Sequence, residues 1–192
     1  MTTLNQKGAI ELSINMMVVI ILSLVIVGSG VTLLYKFIGS ATDIQTDLDG
    51  QTQQEIERIL IDEGRQTAMP IQTKIGEAGG NLLFGLGIRN TLDTEQTFTI
   101  QVTFDRMTTP LGEMYTSDDD QATKDFIGTD PSDWFLYNDQ PITLQSGEYN
   151  KEGINAAIPK DAPKGEYVFK AKVTDNLGDP YGRTQPFTIQ IK

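Results

Sequence analysis

Between Glu11 and Lys36 the chain runs for 24 residues, Leu12 to Tyr35, without a charged side chain. The centre of this run, residues 16–27, reads MMVVIILSLVIV. As one helix the run would rise about 36 Å, more than the ~30 Å hydrocarbon core of a bilayer. It would be apolar on every face, and a chain of 192 residues has too little else to bury it in a core. Three alternatives follow: a secretory leader, a permanent N-terminal anchor, or a helix retained after cleavage in front of it. The apolar part of a leader is about 7–15 residues long and ends at a small-x-small cleavage site. Here Gly28, Ser29 and Gly30 lie inside the run, with Val31, Leu33 and Leu34 still to come. Lys7 precedes the run and the chain beyond Lys36 is strongly acidic. The positive-inside rule then places the N-terminus in and the C-terminal domain out.

Composition removes several chemistries. There are 26 acidic and 15 basic residues, a formal net charge of -11, and neither Cys nor His. Disulfides, Cys/His zinc sites, Cys nucleophiles and His general bases are therefore excluded. The acidic balance argues against a nucleic-acid partner, which requires lysines and arginines at the phosphates. No cofactor is implied, an enzyme is not expected, and the sequence holds no N-x-[ST] glycosylation acceptor.

After the apolar run, Phe37, Ala41, Ile44, Leu48, Ile56, Ile59 and Leu60 recur at helical spacing. Seven acidic residues against Arg58 give residues 37–63 a net charge of -6. Gly50 interrupts this stripe and suggests a bend, and Gly64 reads as the C-terminal stop. The pattern predicts a helix running on as far as Gly64, an amphipathic continuation and linker over 37–69. From Pro70 the period changes to 2. Strands are predicted over Asn81–Asn90, Gln96–Asp105, Trp134–Tyr137, Ile142–Gln145, Gly153–Ile158, Tyr167–Val173 and Pro186–Ile191, with Arg89–Glu95 as a hairpin loop. Short strands divided by Gly, Pro and Asp turns indicate an antiparallel β-sandwich over 70–192. The fold class is thus α+β, a long N-terminal hydrophobic helix followed by an all-β domain.

Two stretches carry resemblances. Residues 1–19, MTTLNQKGAIELSINMMVV, place a Lys-Gly pair before small and apolar residues, an acidic residue and a long apolar helix. This resembles the class III signal peptide of type IV pilin-like proteins, archaeal pilins above all. The resemblance implies cleavage by a prepilin peptidase after Gly8, with Lys7, Gly8 and Ala9 as the recognised residues. It also implies a mature apolar helix over 9–36, inserted in the membrane until assembly machinery extracts it into an extracellular filament at the cell surface. Glu11, Ile14, Met17, Val18, Ile21, Gly28 and Gly30 would then serve subunit assembly in a homo-oligomer. Residues 158–167, IPKDAPKGEY, resemble a turn that leads into the penultimate strand of immunoglobulin-like surface domains. The function implied is that of a pilin, for surface adhesion. The alternative is an uncleaved single-pass surface protein displaying an Ig-like binding domain.

Other candidates are bland. Asp118, Asp119 and Asp120 could attract a cation, but their spacing fails the EF-hand pattern and a solvated loop is expected. Asp175 and Asp179 read as turn formers. Trp134, the single Trp, is expected to pack in the core.

Overall fold

The computed structural model describes residues 16–23, 25, 48–118 and 120–192. The chain divides into two compact units, Met1–Asp43 and Ile44–Lys192. In the first, residues 16–23 and 25 are helical. Ser23 Oγ donates to the Val19 carbonyl at 2.7 Å, which satisfies a hydroxyl inside an apolar stretch. Among the described residues the helices are short, and none is long and apolar enough to cross a membrane. This corrects the long N-terminal apolar helix of the expected fold class, and with it the transmembrane helix and the membrane-inserted location.

The second unit opens with helix α1, Gly50–Ile61. Its start is set by Asp49, whose carboxylate accepts the Thr52 N–H at 2.8 Å and the Thr52 hydroxyl at 3.0 Å. That bond satisfies a first-turn N–H that has no partner within the helix. Gly50 is the first residue of this helix, so it is not a bend within a longer one. Past the other end Gly64 takes the left-handed conformation, φ 67°, and the Arg65 N–H returns to the Ile59 carbonyl at 3.3 Å.

Ten strands follow: β1 Thr67–Ala68, β2 Thr73–Gly76, β3 Asn81–Arg89, β4 Gln96–Thr108, β5 Met114–Thr116, β6 Phe135–Leu136, β7 Ile142–Leu144, β8 Tyr149–Ala157, β9 Gly165–Thr174 and β10 Gln185–Ile191. Helix α2, Asp120–Ile127, and a 3-10 turn, Pro131–Trp134, lie between β5 and β6. One sheet has the order β1-β3-β8-β6, and the other β2-β10-β9-β4-β5 with β7 paired to β4. β3 and β4 thus lie in different sheets, and residues 90–95 cross between them instead of closing the predicted hairpin. β4 alternates strongly and β3 carries apolar side chains at every second position, and neither pattern says which partner a strand takes. Pro70 separates β1 from β2, which sit in opposite sheets; a residue with no N–H suits the crossing. β2 then runs parallel to β10, so the sandwich is antiparallel except along this pair. This arrangement, with the first strand divided between the two sheets, is Ig-like.

The core lies between the sheets. Phe98, Ile100, Val102 and Phe104 of β4 are buried, as are Tyr167, Phe169, Ala171 and Val173 of β9 and Phe187, Ile189 and Ile191 of β10. Phe169 meets Phe135 and Phe187 with ring centroids at 4.7 and 5.5 Å, and Phe84 of the opposite sheet meets Phe187 at 4.8 Å. With no cysteine available, these rings join the two sheets. Trp134 is 3% exposed and packs on Tyr167 at 4.9 Å, a core residue as expected. The Tyr167 hydroxyl donates to the Pro163 carbonyl at 2.7 Å. This fixes the proline turn against the start of β9, in the manner of the tyrosine corner of Ig-like domains.

Candidate functional site

Of the residues that the sequence assigns to assembly, Met17, Val18 and Ile21 lie in the helical stretch of the first unit. Their relative exposures are 62%, 56% and 56%. Met16, Val19, Ile20, Leu22 and Val25 are between 52% and 67% exposed. Successive residues point around the whole helix, so the apolar surface is not one stripe. Lys7, Gly8, Ala9, Glu11, Ile14, Gly28 and Gly30 lie outside the described residues.

The second unit has an apolar face of its own, and it is covered. Outward-facing positions of β3 are Gly85 and Gly87, and α1 rests on them. A Cβ built on Gly85 would lie 2.9 Å from both Ile56 Cδ1 and Thr52 Cγ2. On Gly87 it would lie 2.3 Å from Ile56 Cγ2 and 2.7 Å from Leu60 Cδ1. Ile56 and Leu60 are fully buried there and form a cluster with Leu48 and Ala68, distinct from the sandwich core. Two polar links hold the helix: Lys151 Nζ to Glu57 Oε2 at 2.9 Å, and Arg89 Nη1 to the Leu60 carbonyl at 2.9 Å. The Lys151 ammonium, first by hydrogen bond and then by charge, holds Glu57 below its ordinary pKa. The glycine pair G-L-G in a strand was the available signal for a close approach of this kind.

Buried polar groups are few. Glu152 of β8 is opposite Leu86 of β3, points into the sandwich and is 6% exposed. Burial raises its pKa; hydrogen bonds from Asn150, at 2.6 Å, and Asn138 oppose the rise. Neither Glu152 nor its amide partners stand out in the sequence.

Among the described residues no group of three or more acidic side chains is placed to hold a metal ion. Asp118 sits in a turn and Asp120 begins α2, while Asp119 lies outside the described residues. Asp175 is a turn former: its Oδ1 accepts the Leu177 and Asp179 N–H groups, each at 2.9 Å.

No family model matches the chain, and no curated protein does. Solved structures similar to it include the ASH/PapD-like domain 7 of human CEP192, at 13% identity and TM-score 0.42, covering 67% of this chain and 84% of that one. A family 123 glycoside hydrolase from Clostridium perfringens is similar at 11% identity and TM-score 0.43, over 63% of this chain and 23% of that one. The class 5 fimbriae chaperone CfaA is similar at 14% identity and TM-score 0.36, over 65% of this chain and 55% of that one. The chain thus spans about a quarter of the hydrolase and about half of the chaperone. Values this low transfer no ligand or reaction. Among these neighbours the Ig-like domain is similar to PapD-like and fimbrial-chaperone domains. Among the described residues no helix is long and apolar enough to be the apolar helix of a pilin, which corrects the resemblance to archaeal type IV pilins and their class III signal peptide.

Proposed function

We propose that this is a non-catalytic protein whose Ig-like domain is a binding module and whose apolar segment around residues 16–25 joins copies to one another. The observation that carries this is the exposure, above one half, of Met16, Met17, Val18, Val19, Ile20, Ile21, Leu22 and Val25 in one helical stretch. A helix apolar all round is a helix with buried surroundings, and an exposed apolar surface this dense marks an interaction site. Burying such side chains contributes about 1.5–3 kcal/mol each. Eight of them are of the size needed to offset the roughly 4–15 kcal/mol cost of association. A non-enzymatic role is supported by a sequence without His or Cys.

The test is the mass of the full chain in solution without detergent, by sedimentation. The wild-type chain is expected as a large assembly at tens of micromolar. Met17→Glu with Ile21→Glu, one helical turn apart, is expected to shift it to monomer while leaving the circular-dichroism signal of the β-domain intact. A monomeric wild-type chain, or an assembly that the double variant leaves unchanged, would sink the proposal.

A further inference from the structure

We infer that one end of the sandwich holds a binding site for the carboxylate of an acidic peptide, built around Arg183 and Arg65. The end is made where separate segments converge. The Asn90 N–H donates to the Glu148 carbonyl at 2.8 Å, and the Arg89 N–H to the Gln66 carbonyl at 2.9 Å. The Tyr181 hydroxyl donates to the Arg89 carbonyl at 2.8 Å and accepts the Thr91 N–H at 2.9 Å. Between these segments lies a cleft lined by Arg65, Gln66, Thr67, Thr91, Arg183 and Gln185.

The wall that carries Arg183 is fixed in advance. The Thr67 hydroxyl donates to the Arg183 carbonyl at 2.9 Å. The buried Gln185 amide donates to Thr67 Oγ1 at 3.1 Å and to the Arg183 carbonyl at 3.2 Å. Gly182, at φ 71°, lets the backbone approach Thr67 so closely that a Cβ would lie 2.8 Å from Thr67 Cγ2. A wall held by its own hydrogen bonds does not have to be ordered when a ligand arrives, which lowers the cost of binding.

Charge selects the ligand. Glu63 is shared between Arg58, at 3.0 Å, and Arg65, at 2.9 Å. Arg58 is also bridged to Glu55 at 2.7 Å. Arg183 takes part in no ion pair among the described residues, so the cleft keeps one uncompensated positive charge in a chain of net charge -11. A guanidinium presents a planar fork that matches a carboxylate bidentately. An extended polyanion would meet the repulsion of a chain of net charge -11; a single carboxylate meets less of it. Leu92, next to Thr91 and 41% exposed, gives an apolar neighbour of that carboxylate a place to rest. The acid therefore belongs to a peptide carrying apolar side chains beside it.

The site is independent of the association of copies through residues 16–25, and the Met17→Glu/Ile21→Glu chain is expected to bind identically. The probe is the peptide Ac-Ala-Leu-Glu-Leu-Ala-amide, titrated calorimetrically into the full chain at low salt, with its Gln analogue as control. Saturable binding is expected, at least tenfold tighter than the Gln peptide. Arg183→Gln is expected to weaken it at least fivefold and Arg65→Gln less, because Arg65 is already engaged by Glu63. Hydrogen exchange on the unaltered chain should slow in residues 64–67 and 182–185 when peptide is present. Equal binding of the Gln peptide, no effect of Arg183→Gln, or tighter binding of inorganic phosphate than of the peptide would each overturn the inference.

Discussion

Glu152 and Glu57 lie on the two sides of one strand neighbourhood and respond to pH in opposite senses. Burial raises the pKa of Glu152 in the folded state. The fold thus favours the protonated acid, and this contribution is complete below the unfolded-state value of about 4.3 and is lost as pH rises through the folded value. Glu57 is held low by Lys151; its contribution is present above the unfolded value and is lost as pH falls. Glu57 is 45% exposed, which leaves that contribution small. Glu152→Gln keeps an acceptor for the Asn150 amide and removes the charge. It should raise the urea midpoint at pH 7, with the gain fading toward pH 4. A gain of the same size at both pH values would refute the burial argument. Glu152 was illegible in the sequence: the predicted strand begins only at Gly153, and it is the pairing of Glu152 with Leu86 of β3 that turns its carboxylate inward. Trp134 and Asp175 were legible: a lone Trp among aromatics belongs to the core, and an Asp before Asn-Leu-Gly makes a turn.

At the scale of elements, the seating of α1 on β3 depends on two missing side chains. Gly87→Ala would place a methyl group 2.3 Å from Ile56 Cγ2. Neither Ile56 nor Leu60 has free space, since both are fully buried. Overpacking of this kind costs about 1–3 kcal/mol, and here the cost falls on the helix–sheet contact and not on the core. Hydrogen exchange in residues 50–61 should accelerate far more than in β9; uniform acceleration would mean that the two hydrophobic clusters are one. Apolar side chains at every second position made β3, β4, β9 and β10 readable nearly to their ends. β1, β2 and β5 have two to four residues, too few for a period to show, and β1 and β2 exist only because a neighbouring strand supplies the ladder. Helix α2 was hidden behind the polar run YTSDDDQATKD; it is held by Ile127 buried in the sandwich core, by the Thr123 hydroxyl, which donates to the Thr116 carbonyl at 2.8 Å, and by the stacking of Phe126 on Tyr115, centroids 4.3 Å apart. In the loop-end cleft the arginines were visible but unremarkable; Arg65 and Arg183 lie 118 positions apart in the chain, and only the pairing of β1 with β3 and the path of the β9–β10 loop bring them together.

For the molecule as a whole, two apolar bodies matter: the sandwich core between the sheets, and the smaller cluster of Leu48, Ile56, Leu60 and Ala68 under α1. No backbone ladder joins α1 to the sheet. Its attachment is apolar contact with the glycine slot plus the Glu57–Lys151 and Leu60–Arg89 links. The strands are zipped edge to edge; the helix is only seated. If copies are joined through residues 16–25, the covalent path of a mechanical load into the domain runs through Leu48 and α1. That load would shear the helix along its slot, and a smooth apolar slide yields at lower force than a row of hydrogen bonds broken together. Stretched between residue 47 and the C-terminus, the domain should lengthen first by a short step as α1 slips, before the sandwich ruptures; a single rupture with no earlier step would contradict this. The two glycines that seat the helix would then set the force at which the domain begins to give.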